Sequence, residues 1–470
     1  MNRLIGGILL IAGNCIGAGM LALPILTGAA GYAPSLTMFL VIWAFMTYTA
    51  LLLAEVNLWY GKDVSIISMA ERTLGRYGKG IAWAVYLFLF YSLTVAYVAL
   101  SGEIFTGFIA DITGIPVPHW AVSLFFVVLF GVIIYRGTKT VDVFNRTLMF
   151  GLVIAYAALV VFGMPHVDGK MLSHASWGVA PWIVPVIITS FGFHNIIPTL
   201  TTYLRGDVHK LRTVIIVGSI IPLFVYLIWE SIILGIIPVE GLVAALREGH
   251  STAYVVKGVV GGMYFTLAAQ TLAFFAIVTS LLGVGISFVD FLADGLKIKK
   301  DRKGKVALCF MVLALPYFLA ISYPAVFFTA LTYAGGYGAV ILFGILPAAM
   351  VWSGRKKGLS LKKPLPGGKK ALIAVIAFAV TVIAFQTAQE CGKSPIARIT
   401  NTSSKKPDSL SHNLCPPSPS PCRIGQCSRG SENKSHATYR LSFPRICEKC
   451  VPSAKKETPV GDDEATIENT

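Results

Sequence analysis

Two long apolar stretches are each interrupted near the middle by glycine and polar residues, with a proline shortly after. The first interruption contains Gly13, Asn14, Cys15, Ile16, Gly17, Ala18, Gly19 and Met20. The second contains Ser190, Phe191, Gly192, Phe193, His194 and Asn195. A helix that unwinds in apolar surroundings frees backbone N–H and C=O groups, which is tolerated only where these groups bind something polar. The two interruptions are therefore predicted to form a ligand site.

The freed backbone groups carry partial charges of both signs. The amino end of a half-helix presents N–H groups that favour an anion, whereas freed carbonyls favour a cation or an ammonium group. A zwitterionic amino acid satisfies both requirements. The rings of Phe191, Phe193, Tyr91 and Tyr97 would suit a flat apolar side chain, although rings in membrane helices mostly serve packing. The predicted substrate-binding residues are residues 14–20, Tyr97 and residues 190–195.

The elements that hold these interruptions are predicted to be membrane helices. Of the 470 residues, 55% are hydrophobic and only 13% are charged, against roughly 25% charged in a soluble domain. Crossing a bilayer takes about 20 mostly apolar residues, and the continuous runs here lack the alternation of membrane strands. Eleven such runs lie at residues 5–25, 32–57, 80–107, 119–135, 144–165, 178–203, 212–238, 258–294, 306–322, 325–352 and 370–388.

Basic residues fall almost entirely into alternate loops, so the net charge of +16 does not indicate a nucleic-acid partner. One side of the predicted bundle holds 24 lysines and arginines, beginning with Arg3, and the other holds only Lys170, Arg247 and Lys257 before the last span. Basic loops stay in the cytoplasm. The split predicts a cytoplasmic amino terminus and, with eleven spans, an external carboxy terminus.

The two interruptions lie in the first and sixth spans, five spans apart. Five intervening crossings invert the second copy relative to the first, which is typical of a five-plus-five inverted repeat with one extra helix. Helix packing remains an alternative for the first interruption, because Gly13-x-x-x-Gly17 is also a small-residue contact motif.

Ionisable residues inside a span are functional candidates because they cost at least about 2.5 kcal/mol at the bilayer centre. Glu230 and His194 are the deepest and are the predicted proton carriers, although a neutral histidine bonded to a carbonyl is an equal alternative for His194. Glu55, Glu103 and Asp290 lie near span ends and are expected to be solvated.

Sodium is the alternative to a proton as the ion that this chain would bind within the membrane. Thr279 and Ser280 form an adjacent hydroxyl pair in the eighth span, which resembles a sodium site of LeuT-like transporters that would also use carbonyls of the first break. Hydroxyls in membrane helices also bond to their own backbone, so the pair has an ordinary structural explanation.

Three stretches resemble the bacterial hydroxy and aromatic amino acid permease family. They are residues 16–24 (IGAGMLALP), 189–194 (TSFGFH) and 330–336 (ALTYAGG), and within the family the chain is most similar to tyrosine-specific transport proteins over residues 1–388. The resemblance implies an all-α, eleven-helix, LeuT-like fold in the bacterial inner membrane. It also implies import of an aromatic amino acid, tyrosine first and tryptophan next, by proton symport and alternating access.

Other functions are disfavoured by missing motifs. No G-x-x-x-x-G-K-[ST] occurs, and the eight histidines form no H-x-x-x-H or H-E-x-x-H pattern, so we expect neither ATP hydrolysis, enzyme catalysis, a metal site nor a cofactor. We also expect no nucleic-acid partner and no obligate protein partner beside the lipid bilayer. Two alternatives stay open, a serine or threonine permease of the same family and a non-transporting amino-acid sensor. Gly17, Gly19 and Gly192 favour the aromatic substrate because they leave room for a ring.

The chain is predicted to have two parts, a membrane transport domain at residues 1–388 and a tail at residues 389–470 that is rich in Ser, Pro and Cys. The tail contains six of the eight cysteines and no apolar run. Its composition predicts disorder, and the family pattern ends near the eleventh helix.

Overall fold

The computed structural model describes residues 3–61, 64–115, 117–259, 263–323, 326–359 and 368–393. These residues form sixteen α-helices. They are α1 (Arg3–Cys15), α2 (Leu23–Thr27), α3 (Tyr32–Tyr60), α4 (Ile66–Thr113), α5 (His119–Arg136), α6 (Thr138–Gly163), α7 (Val184–Ser190), α8 (Ile197–Tyr203), α9 (Val208–Ile236), α10 (Val239–Glu248), α11 (Thr252–Val259), α12 (Met263–Gly295), α13 (Arg302–Ser322), α14 (Val326–Tyr333), α15 (Leu346–Lys356) and α16 (Gly368–Glu390).

Ten helical segments of the described residues are long and apolar enough to cross a membrane, and a bent pair makes the eleventh. The bent pair is the first span, in which α1 meets the segment Ala18–Thr27 at 42°. Large apolar side chains such as Phe125, Phe150 and Phe310 are exposed on the outside of the bundle, where hydrocarbon would cover them. The chain is thus a multi-pass membrane protein with the predicted number of spans.

Three spans begin five residues or more away from the expected position. The fifth begins at Thr138 instead of residue 144. The third span begins earlier, because α4 is continuous from Ile66 except for a kink at Gly75, whose φ of 75° is left-handed. The eighth span begins later, at Met263 instead of residue 258. Residues 252–259 belong to α11, which forms a short helical hairpin with α10 on the face of the bundle opposite Arg3. Short helices between spans give no long apolar run, so the sequence does not predict this hairpin.

The tenth span contains a π-helical segment that packs against the sixth span. Between α14 and α15, residues Ala334–Ile345 form a π-helix, a rare form that is frequent at functional sites. Gly335 in this segment lies so close to Pro185 of α7 that a Cβ would overlap the Pro185 carbonyl oxygen. Thr189 of α7 also donates a hydrogen bond to the Leu331 carbonyl at 3.0 Å. The tenth span therefore fixes the position of the helix that leads into the second interruption.

A buried ion pair ties the second span to the tenth near the end of the bundle where Arg3 lies, which we call the basic face. Arg355 Nε and Nη2 donate to the two carboxylate oxygens of Glu55 at 3.0 and 2.9 Å. Glu55 is 1% exposed, so the expectation of solvation was wrong for this residue. The same α15 end is bonded to the start of α4, because Lys357 Nζ and Ser353 Oγ both donate to the Thr73 carbonyl.

The other two span-end carboxylates differ from each other. Asp290 is half-exposed and pairs with Lys300 at 2.7 Å, as expected for a solvated end. Glu103 is only 17% exposed and accepts a bond from the Ser251 amide at 2.9 Å, at the tip of the α10–α11 hairpin. The expectation was therefore wrong for Glu103 as well, because the hairpin that covers it was not foreseen.

The last described helix, α16, ends at Glu390, and residues 394–470 of the predicted tail lie outside the described part of the chain. The division at residue 388 stays a prediction.

We expect Glu55→Gln to lower the free energy of unfolding by about 3 kcal/mol, because it leaves the Arg355 guanidinium largely buried without its charge partner. Thermal unfolding of the purified protein in detergent measures the effect. The matched control is Glu71→Gln, which breaks the half-exposed pair between Glu71 and Lys79 and should change stability by less than about 0.5 kcal/mol. Equal losses of stability in the two variants would contradict the conclusion that the Glu55–Arg355 pair is buried.

Candidate substrate site

The first interruption is a true break in the helix. The helix α1 ends at Cys15, Gly17 is extended, and a 3-10 turn covers Ala18–Leu21 before α2 begins. Gly17 is required by close approach, because a Cβ there would overlap the Ser280 hydroxyl of α12. The Ala18 amide donates to the same hydroxyl at 2.9 Å. Ser280 thus caps the amino end of the second half of the first span.

The second interruption is also a break. The helix α7 ends at Ser190, and Phe191, Gly192 and Phe193 are irregular before a 3-10 turn at His194–Ile196 leads into α8. The Gly192 amide bonds back to the Thr189 carbonyl at 3.1 Å, and the Phe193 amide to the Phe191 carbonyl at 3.0 Å. Local turns thus replace the regular helical bonds at the middle of this span.

The structure brings the two breaks together. Asn14 Nδ2 donates to the Gly192 carbonyl at 3.1 Å and to Asn195 Oδ1 at 3.3 Å. A Cβ added at Gly19 would lie 3.3 Å from Ser190 Oγ. These direct contacts across more than 170 residues of sequence show that the predicted residues form one junction.

Buried polar side chains from other spans hold several break carbonyls. The hydroxyl of Tyr226 donates toward the carbonyls of Cys15 and Ser190, and Trp229 Nε1 donates to the Met20 carbonyl at 2.9 Å. Both side chains belong to α9 and are fully buried. Sequence reasoning missed them. The available signal was a phenol and an indole about one turn apart, at Tyr226 and Trp229, within an otherwise apolar span.

Several backbone N–H groups at the junction make no hydrogen bond to a described residue. They belong to Gly17, Gly19, His194 and Asn195. The first two lie at the amino end of the half-helix that runs toward Thr27, and the other two at the amino end of α8. Unpaired N–H groups at such ends favour an anionic group.

The aromatic residues at the junction are packed against protein. Phe191 is fully buried and contacts Tyr226 edge-on at 5.2 Å between ring centres and Phe39 at 6.5 Å. Phe193 is also fully buried and lies 5.3 Å from the His194 ring. Tyr97 is buried beside Ser280. In this conformation the three rings therefore line a closed junction, and the role of each toward a substrate stays a prediction.

The two predicted proton carriers lie on separate sides of the junction. Thr49 Oγ1 and His194 Nε2 form a hydrogen bond at 2.9 Å, and the imidazole stacks on Phe343. Glu230 Oε2 lies 3.0 Å from the hydroxyl of Thr27, at the end of α2. Both side chains are buried, and neither His194 Nδ1 nor Glu230 Oε1 has a hydrogen-bond partner among the described residues.

The hydroxyl pair proposed for sodium is engaged in bonds of its own. Thr279 Oγ1 donates to the Phe275 carbonyl at 2.8 Å, while Ser280 Oγ accepts from Ala18. The Thr279 bond is the structural role that the sequence offered as the alternative, whereas the Ser280 bond joins two spans. The choice of coupling ion stays a prediction.

The α10–α11 hairpin covers the junction on the face opposite the basic face. Thr252 Oγ1 donates to the Leu21 carbonyl at 2.6 Å, and Leu242 packs against Gly28. Every residue from Gly17 to Gly31 is buried, whereas Asn14 is exposed. The half of the first span beyond the break is therefore enclosed, and the half before it is not.

Comparisons with known proteins identify the family and the fold. The model of the tryptophan/tyrosine permease family matches residues 1–386. The chain belongs to the tryptophan/tyrosine permease family. This permease is 32% identical over 401 residues to the tyrosine-specific transport system 1 of Haemophilus influenzae, which covers 84% of this chain and 99% of the relative.

Other relatives of this permease carry tryptophan in their names. The tryptophan-specific transport protein of Haemophilus influenzae is 27% identical, covering 83% of this chain and 96% of its own, and the low affinity tryptophan permease of Escherichia coli is 29% identical, covering 80% and 93%. The crystal structure of MhsT in complex with L-phenylalanine superposes with a TM-score of 0.58 at 15% identity, covering 83% of this chain and 98% of MhsT. The expected LeuT-like fold is thereby confirmed, and the chain is a permease rather than an enzyme.

We expect Gly17→Ala to destabilise this permease by about 1 to 3 kcal/mol, since the new methyl group overlaps the Ser280 hydroxyl. Ser280→Ala should cost about 1 kcal/mol by removing the cap on Ala18. The double variant should cost less than the sum, because removal of the hydroxyl also removes the overlap. Thermal unfolding of the four proteins tests this. Gly283→Ala is the control, because a Cβ there meets no atom within 4 Å, and strictly additive losses would contradict the contact.

The hairpin tip should respond to pH through His250. The Glu103 carboxylate, 3.5 Å away, raises the pKa of the His250 imidazole above its usual 6.5. Glu248 lies at 3.6 Å and the Tyr254 ring stacks on the imidazole. Since the folded protein favours the protonated form, this stabilisation is complete below about pH 6.5 and is lost as pH rises through the raised pKa.

His250→Gln should therefore lower stability at pH 6 by less than about 1 kcal/mol, a small effect because the pair is partly exposed. The difference from the unsubstituted protein should vanish at pH 9, as measured by thermal unfolding. In a Glu103→Gln background the same change should have a smaller pH-dependent effect, because only Glu248 then favours the protonated imidazole. A difference that persists at pH 9 would point to lost packing on Tyr254 instead.

Proposed function

We propose that this permease imports an aromatic amino acid, tyrosine first and tryptophan next, across the bacterial inner membrane by proton symport and alternating access. In this arrangement the basic face, with the amino terminus, is cytoplasmic. The observation that carries the proposal is the junction of the two breaks, joined by Asn14, in a chain of the tryptophan/tyrosine permease family.

The proposed substrate lies between residues 14–20 and residues 190–195. Its carboxylate accepts from the unpaired N–H groups of Gly17 and Gly19, at an end where the helix dipole is positive. Its ammonium group binds backbone carbonyls at the two breaks. Its ring packs against Phe191 and Phe193 in place of some of their present neighbours. The names of the relatives, which specify tyrosine and tryptophan, support an aromatic substrate.

Glu230 is the favoured proton carrier. The Thr27 hydroxyl lies 2.7 Å from the Leu23 carbonyl and 3.0 Å from Glu230 Oε2. One hydroxyl proton cannot serve both acceptors, and a proton on the carboxyl group would supply the second bond. This position also suits coupling, because Thr27 belongs to the same half of the first span as the proposed carboxylate site. His194, buried against Thr49, is the second candidate for the same role.

Alternating access is supported by the asymmetry of burial. The first span is enclosed from Gly17 to Gly31, yet Asn14 is exposed and Gly283, one turn beyond Ser280 on α12, borders open space. We therefore assign this conformation to a state closed toward the outside and open toward the cytoplasm. The α10–α11 hairpin would have to leave Leu21 for the site to open outward.

Uptake of radiolabelled tyrosine into proteoliposomes tests the proposal. We expect a pH gradient alone to drive accumulation, with competition by tryptophan and phenylalanine but not by serine. A sodium gradient that drives accumulation would move the coupling to Thr279 and Ser280. Competition by serine but not by aromatic amino acids would indicate a hydroxy amino acid permease, and binding without accumulation would indicate a sensor.

Glu230→Gln should lower the accumulation of tyrosine driven by a pH gradient at least about tenfold. Tyrosine exchange at equal pH on both sides of the membrane should persist, because exchange needs no net proton movement. The same assays on His194→Gln decide between the two carriers. Asp290→Asn, at a half-exposed span end, is the control and should retain both activities. Loss of exchange along with accumulation in Glu230→Gln would contradict a role confined to the proton.

A further inference from the structure

One side chain from outside the two breaks contacts both of them at the same point. The hydroxyl oxygen of Tyr226 lies 2.6 Å from the Cys15 carbonyl oxygen and 2.9 Å from the Ser190 carbonyl oxygen. Cys15 is the last residue of α1 and Ser190 is the last residue of α7. Each carbonyl is therefore at the carboxyl end of a half-helix, where the partial charge is negative.

The number of protons at this point is smaller than the number of acceptors. A phenol carries one O–H donor, so Tyr226 can donate to one carbonyl at a time. The other carbonyl then faces the phenolic oxygen at hydrogen-bond distance with no proton between the two oxygens. All three residues are buried, so bulk water does not compensate. The arrangement leaves two acceptors, one carbonyl and the phenolic oxygen, directed toward one place.

A donor that completes this arrangement must bring two or more protons to adjacent acceptors and tolerate the negative ends of two half-helices. A protonated primary amine has three N–H donors and a positive charge, which meets both conditions. A neutral hydroxyl brings one proton and no charge. The chemistry of the acceptors thus selects an ammonium group.

We infer that Tyr226 is a positioning and specificity-determining residue, which holds the Cys15 and Ser190 carbonyls together and makes the junction selective for the α-ammonium group of the substrate. This inference rests on the proposed function and adds the residue that recognises the amine. The ring itself has a separate packing role, since it contacts Phe191 and Phe39. Loss of the hydroxyl can therefore be tested without loss of the ring.

The test compares Tyr226→Phe with the unsubstituted permease in a binding assay on the full chain in detergent. The two ligands are L-tyrosine and 3-(4-hydroxyphenyl)propionate, which has the same ring and carboxylate but no amine. We expect Tyr226→Phe to weaken L-tyrosine binding by about tenfold, the effect of one hydrogen bond to a charged group. Binding of the deaminated ligand should change by less than about twofold.

Tyr156→Phe is the matched control. The Tyr156 hydroxyl also donates to a backbone carbonyl, that of Val225 on the same α9 helix, at 2.9 Å, but it touches neither break. We expect this variant to bind both ligands as the unsubstituted permease does. Thermal unfolding of both variants checks that each is folded before binding is compared.

An equal loss for both ligands in Tyr226→Phe, or no loss for either, would overturn the inference, because a merely structural role does not distinguish an amine. Failure of the proposed function gives a different result. If the unsubstituted permease binds L-serine but not L-tyrosine, the aromatic assignment is wrong, and L-serine with 3-hydroxypropionate replaces the pair in the same test. Absence of binding by every amino acid would overturn both proposals.

Discussion

The structure depends on one constraint, that a polypeptide crossing a bilayer must satisfy its backbone polar groups without water. Two spans break this rule near their middle, and each unsatisfied group in hydrocarbon would cost several kcal/mol. The breaks are tolerable because they meet each other and because side chains of three other spans or loops reach them. Ser280 bonds an amide of the first break, and Tyr226, Trp229 and Thr252 bond its carbonyls.

The same contacts explain why the surrounding spans differ in how firmly they are held. The second and tenth spans are joined by the buried Glu55–Arg355 pair, and the tenth span also supports α7 through Gly335 and Thr189. The second half of the first span is instead held by single hydrogen bonds to α9, α11 and α12. A few such bonds, each worth about 1 kcal/mol net, can be exchanged for bonds to a ligand more readily than a close-packed ion pair can. The second and tenth spans are thus firmly held, whereas the second half of the first span can exchange its hydrogen-bond partners.

Much of the fold could be predicted from the sequence because hydrophobic length and glycine content act locally. The count of spans, the positions of both breaks and their separation by five spans all follow from runs of residues that need no tertiary information. The residues that satisfy the breaks could not be predicted in the same way. Tyr226 and Trp229 look like ordinary aromatic residues of a membrane helix, and only their distance to carbonyls some 36 to 211 positions away reveals their role. The burial of Glu55 and Glu103 could not be predicted for the same reason, since it depends on distant segments, α15 for Glu55 and the α10–α11 hairpin for Glu103.

The use of main-chain groups at the junction has a consequence for how such a protein can diversify. Every residue carries a backbone C=O group, and every residue except proline carries an N–H group. In the proposed site, the part of the ligand that is common to all amino acids therefore meets mainly atoms that most substitutions leave in place. The variable part of the ligand then meets side chains, which are free to change independently. With the site proposed above, substitutions at ring-facing positions would change selectivity while the main-chain groups that meet the α-amino and α-carboxyl groups stay the same. Relatives named for tyrosine and for tryptophan at only 27 to 32% identity fit that history.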